Sequence, residues 1–87
     1  MDHEKKSEIL KALGHPIRLK IADWLLHCDG CHVNKMVEQL GLPQSTVSQH
    51  LGILKNKGII TFKKNGVQTC YKVTNPQVVK IVEILGK

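Results

Sequence analysis

The sequence has no apolar run near the roughly 20 residues that a membrane span requires, so no membrane partner is expected. Its start, Met1-Asp2-His3-Glu4-Lys5-Lys6, is not followed by the hydrophobic core of a signal peptide, and the expected location is the cytoplasm. Three cysteines in a chain with no export signal do not make a disulfide framework. Repeats and low-complexity segments are missing. So are a phosphate-binding glycine loop, a Ser/His/Asp arrangement and a carboxylate pair in a shared context, so catalysis is not expected.

Acidic residues are missing from one region in particular. The chain has 13 Lys and Arg against 7 Asp and Glu, a net charge of +6 in 87 residues. Over residues 1–38 the charges cancel, and Glu83 and Lys87 cancel at the other end. The whole excess lies on Lys55, Lys57, Lys63, Lys64, Lys72 and Lys80. A block of one sign favours association with a polyanion. Apolar residues make up 41% of the chain, too many for a disordered basic tail. A domain this small buries only about 60–65% of its unfolded surface, which favours a second subunit that adds core.

Hydrophobic spacing predicts a mainly α fold with a β-hairpin. Ile9, Leu10 and Leu13 mark a short first helix that stops at Gly14. Pro16 suits the first turn of a second helix, where its missing N–H costs nothing. Ile17, Ile21, Trp24 and Leu25 form the apolar face of that helix. Val33, Met36, Val37 and Leu40 give a third helix, ended by Gly41. After Leu42 and Pro43, the residues Val47, Leu51 and Leu54 give a fourth, closed by Gly58. Two helices joined through a short turn containing Gly form a helix-turn-helix unit, here residues 33–57.

The period then changes to two. Ile60, Phe62 and Lys64 alternate, as do Val67, Thr69, Tyr71 and Val73. Asn65-Gly66 between them is a strong hairpin signal, predicting Phe62 opposite Thr69 and Ile60 opposite Tyr71 within a wing at residues 59–73. Asn75-Pro76 opens a fifth helix, whose apolar residues cover more than one stripe. A single domain, residues 1–87, is expected, with 1–13 and 75–87 serving as dimerisation helices. A second subunit would pack against Ile9, Leu10 and Leu13 of the first helix and Val78, Ile81, Val82 and Leu85 of the last.

Gln44, Ser45, Thr46, Ser48, Gln49 and His50 are expected on the exposed side of the fourth helix. Short hydrogen-bonding side chains suit base edges in a major groove. The helix N-terminus and Lys55 or Lys57 would hold phosphates, and Lys63, Lys64 and Asn65 at the hairpin tip would reach the backbone or minor groove beside it. Double-stranded DNA is the expected partner.

The run Ala12-Leu13-Gly14-His15-Pro16-Ile17-Arg18-Leu19-Lys20-Ile21, then Gln44-Ser45-Thr46-Val47-Ser48-Gln49-His50-Leu51, then the Asn65-Gly66 wing ending in Tyr71, resembles the ArsR/SmtB-type winged-helix repressors. The similarity spans residues 9–85. It implies a winged helix-turn-helix, a homodimer through the first and last helices, an imperfect palindromic operator, and release on a chemical signal. It also implies that the fourth helix reads DNA, and leaves Arg18 open between a structural and a DNA-backbone role.

The resemblance also implies places for a sensor, and none is filled in the family's manner. Where a Cys opens the third helix in some members, this chain has His32-Val33-Asn34. The last helix, around Asn75-Pro76-Gln77 and over residues 81–85, has no His. Asp23 stands where a thiol lies in others.

The chain has instead His27-Cys28-Asp29-Gly30-Cys31-His32. Cys28, Cys31, His27 and His32 are four donors that a zinc-like metal accepts. The two thiols can also close as a disulfide, or serve as ordinary packing residues. The spacing matches c-type haem attachment too, but that requires export. No cofactor is assigned from these choices, and a thiol redox or metal-binding role for the Cys28/Cys31 pair, on its own or as the repressor's sensor, is the alternative function. Cys70 reads as strand packing, and His3 and His15 as solvated or capping residues.

Overall fold

The computed structural model describes residues 1–28 and 32–86, with Asn65 through its backbone alone. Seven elements follow in the predicted order: α1 (His3–Leu13), α2 (Pro16–Leu26), α3 (Val33–Leu40), α4 (Gln44–Asn56), β1 (Ile60–Asn65), β2 (Gln68–Val73) and α5 (Pro76–Leu85).

Local chemistry sets most of the boundaries. The Asp2 carboxylate accepts the Lys5 amide and caps α1. Pro16 and Pro76 occupy first-turn positions, and Asn75 caps α5 through the Gln77 amide. Gly41 ends α3 with φ +66°, a left-handed conformation that glycine adopts without a Cβ penalty. Leu42 and Pro43 then turn the chain into α4.

The core lies where α2, α3, α4, β1 and α5 converge. Ile21, Met36, Leu54, Ile59 and Val78 are wholly buried there. Fully burying a large apolar side chain contributes about 1.5–3 kcal/mol. α1 and α5 lie against α2, and Lys6 Nζ donates to Gln77 Oε1 across them at 2.6 Å.

The wing differs from expectation in register. Phe62 pairs with Tyr71 and Ile60 with Val73, so the two-residue loop is Gly66-Val67, not Asn65-Gly66. An Asn-Gly turn of type I′ needs positive φ at both residues. Among the described residues only glycines have positive φ, and in the loop that residue is Gly66 at +68°. Glycine in the first loop position is the type II′ pattern. A shift of two residues keeps every side chain on its expected face, because the strand period is two. It also sets Ile60 opposite Val73, and both are buried.

The subunit's own core takes three of the seven side chains assigned to the dimer. Leu13, Val78 and Val82 are buried beside Ile21 and Leu25. Ile9 and Ile81 are half-buried, whereas Leu10 and Leu85 are exposed, together with Ile84, an apolar residue of the last helix outside the expected interface set. Periodicity shows that a helix is apolar on several sides but not which side its own domain covers.

Candidate nucleic-acid interface

The buried face of α4 carries Val47, Leu51 and Leu54, which dock it in the core. Its opposite face carries Gln44, Ser45, Ser48 and Gln49, all exposed, with Thr46 half-exposed. No side chain caps the α4 N-terminus, so its first amides remain open to an outside acceptor. Gly52 follows Ser48 one turn on and leaves open space beside the helix. A helix of this kind presents donors and acceptors to base edges and its own amides to a phosphate.

His50 does not belong to that face. It is 8% exposed, and its ring lies 4.7 Å from that of His15. Arg18 Nη1 lies 3.4 Å from His50 Nδ1, and Arg18 Nε donates to the Ala12 carbonyl at 2.6 Å. Burial, then the neighbouring His15 and Arg18, hold the His50 pKa below its ordinary value of 6.5. The apolar pattern of α4 alone leaves His50 on its exposed side. The actual rotation of α4 tucks it against the start of α2. Arg18 is thereby a bracing residue, and His15 is the cap of α2 through the Ile17 amide at 3.1 Å.

The lysines divide into two sets. Lys57 pairs with Glu8 of α1 at 3.0 Å, so it is not a free phosphate ligand. Lys57 is the chief cause that holds the Glu8 carboxyl below its usual range, with Lys11 adding to it. Lys55 stands 4.4 Å above the Phe62 ring, a cation–π contact that joins the end of α4 to the wing. Lys63 and Lys64 are exposed on β1 and take part in none of the ion pairs among the described residues. The Asn65 side chain lies outside the described residues. Val67 at the wing tip is fully exposed.

Asn34, Gln44 and Gln68 border a concavity of about 230 Å³ between the starts of α3 and α4 and the wing. Asn34 and Gln68 are exposed polar residues beside the start of α4 that the sequence did not single out. Nothing in a linear pattern brings positions 34, 44 and 68 together.

Of the candidate donors, the two described histidines turn to backbone carbonyls. His27 is exposed and turns back on its own helix, with Nδ1 2.8 Å from the Asp23 carbonyl. His32 begins α3 half-buried, bridges to Cys70 on β2, and lies 3.4 Å from the Thr69 carbonyl. Cys31 lies outside the described residues. Among those described, no three His, Cys, Asp or Glu side chains gather as a metal site. Cys28 and Cys70, both half-buried, instead line an open groove of about 510 Å³ with Leu25, Leu26, Lys63 and Lys72. Cys70 thus lies nearer to Cys28 in the fold than strand packing alone suggested. No helix among the described residues is long and apolar enough to cross a membrane.

Comparison with known proteins bears on this geometry. A family model described as "Bacterial regulatory protein, arsR family" matches residues 15–61. The transcriptional repressor PagR of Bacillus anthracis is 38% identical over 86 residues, covering 99% of this chain and 86% of that protein. Its crystal structure superposes with a TM-score of 0.87, over 94% of this chain and 93% of the other. HlyU from Vibrio cholerae superposes with a TM-score of 0.89 at 30% identity, covering 98% and 94%. The biofilm growth-associated repressor of Xylella fastidiosa is 33% identical, covering 97% of this chain and 76% of that protein.

Proposed function

This chain belongs to the arsR family of bacterial regulatory proteins, and we propose that it acts as a homodimeric repressor that reads a palindromic DNA operator in the cytoplasm. Family and fold make it a winged helix-turn-helix, DNA-binding transcriptional regulator and not an enzyme. Repression, the dimer and the palindrome are our reading.

The observation that carries it is the exposed face of Gln44, Ser45, Ser48 and Gln49, together with Lys63 and Lys64, which are exposed and join no ion pair among the described residues. Gln49 and its neighbours would meet base edges, while the wing lysines and the α4 amides would hold phosphates. The similarity to PagR, a repressor by name, supports the sign of the regulation.

The dimer is supported by apolar surface left over from folding. Leu10, Ile84 and Leu85 are 57–66% exposed. Ile9, Leu10 and Ile81 border a cleft of about 570 Å³ between α1 and α5. A two-fold partner on this surface would set two reading helices about one DNA turn apart, roughly 34 Å. The subunit's longest extent of 39 Å is compatible with that spacing.

Operator selection from random duplexes, with sedimentation of the free protein, tests the reading. A palindromic consensus and a dimer are expected. Six to ten phosphate contacts would cost on the order of 10³–10⁵ in affinity between 50 and 200 mM salt. Equal binding to all sequences, or a flat salt response, would remove it.

A further inference from the structure

We propose that His15, Arg18 and His50 form a junction that positions the reading helix and works only while both imidazoles are unprotonated at Nδ1, so that operator binding weakens on acidification. The inference rests on the DNA-binding role given above and adds positioning residues that lie off the reading face.

The argument is one of donors and acceptors. A guanidinium donates and never accepts. Its contact with His50 Nδ1 is a hydrogen bond only when that nitrogen holds a lone pair. The Ile17 backbone N–H likewise donates to His15 Nδ1. Both rings therefore carry their proton on Nε2. A proton on His50 Nδ1 breaks the link between α2 and α4, and one on His15 Nδ1 removes the side-chain cap of α2.

Burial, then the neighbouring His15 and Arg18, disfavour the charged form of His50. The two rings face each other at 4.7 Å, with Arg18 between their helices. Doubly protonated, the junction would hold three cations. The ion pairs among the described residues include none of the three. The elements that pack on α4 are α2, α3 and β1. From α2 come His15 and Arg18. On α3, Lys35 and Glu38 are exposed, and on β1, Lys63 and Lys64 are exposed. None of these four is among the groups that act on His50. On α4 itself, Lys55 stands over Phe62 and Lys57 is held by Glu8, the nearby carboxylate of α1. Arg18 also grips the Ala12 carbonyl, so a break at His50 separates α4 from a brace already fixed to the end of α1.

The expected pH response is opposite to the ordinary one. Protonating histidines adds positive charge and by itself tightens binding to a polyanion. The junction weakens operator binding instead. The test measures Kd for a duplex recovered by selection, and for a scrambled duplex, between pH 7.5 and 5.5. For the protein as it stands, the operator Kd should hold above pH 6.5 and rise below it, by at most about tenfold per pH unit for one coupled proton, while the scrambled Kd falls or holds. His50→Asn places an amide oxygen near the Nδ1 position, and His15→Asn substitutes another capping side chain. Each should bind the operator at pH 7.5 within a few-fold of the parent, roughly half a decade, and the double variant should lose the acid-induced rise.

An operator Kd that falls with acid in the parent, or a rise that the double variant retains, overturns the junction while leaving DNA binding intact. Absence of operator binding at any pH overturns the DNA reading instead. The junction then stands or falls on the tautomers, read from long-range ¹⁵N–¹H spectra of the unmodified protein. Nε2–H on both rings at pH 7.5 is expected. Nδ1–H on either ring refutes the junction, whether or not the variants fold.

Discussion

Lys57 Nζ lies 3.0 Å from Glu8 Oε2, which binds the end of α4 to α1. A lysine in a segment without acids is thereby neutralised by an acid 49 residues away. Among the described residues the wing lysines join no ion pair, and the first prediction follows from that division. Lys63→Ala should lower the salt slope of DNA binding by about one and weaken all duplexes alike. Lys57→Ala should leave the slope nearly unchanged. Equal slope losses for the two variants, in titrations over a range of salt, would contradict the assignment.

Gln49 is exposed on the proposed reading face, where its amide would meet an adenine at two points. Gln49→Ala should lose about 1–3 kcal/mol of discrimination at one base position. Affinity for unrelated duplexes should change little. Selection with the variant should show one relaxed position in each half-site.

The apolar residues of α1 and α5 separate by accessibility. Ile84→Glu and Leu85→Glu place charge on the exposed surface and should give a folded monomer by sedimentation. Leu13→Ala opens the subunit's own core and should cost about 2–5 kcal/mol in denaturant. A dimer that survives both glutamates would place the interface elsewhere.

Stability should depend on pH through two groups of opposite charge. The His50 pKa is lowered by folding, so the unfolded chain binds its proton more readily. Its contribution is fully present above 6.5 and is lost as pH falls through the lowered native value. The Glu8 carboxyl is also lowered, chiefly by Lys57, so its contribution is present above 4.5 and lost on further acidification. Urea midpoints should therefore decline first below pH 6.5. His50→Asn should remove that first decline and retain the second.

Zinc added at stoichiometric levels should leave operator affinity unchanged. His27 and His32 are turned toward backbone carbonyls, and no three ligand side chains gather among the described residues. A shift in Kd that a chelator reverses would contradict this.

The legibility of the sequence followed the range of the forces involved. The helix starts at Pro16 and Pro76, the stop at Gly41 and the change of period after Gly58 are local effects of one or two residues on their own backbone. They appear in the structure where they were expected. The wing register was misjudged by two residues. Asn-Gly and Gly-X turns are both compatible with the loop, and the choice accompanies burial of Ile60 opposite Val73.

The sequence by itself determined the element order, the helix-turn-helix and which segment carries the positive charge, because each depends on spacing and composition along the chain. Only the tertiary structure decided which charges remain free and which apolar faces remain open. Rotation of α4 took His50 from the reading face to Arg18, and α1 brought Glu8 to Lys57. Packing on α2 buried Val78 and Val82 but left Ile84 and Leu85 exposed. These outcomes depend on helix rotation and on partners distant in sequence. A periodic pattern carries neither, since it records the angle of a residue about its own axis and not what lies across from it.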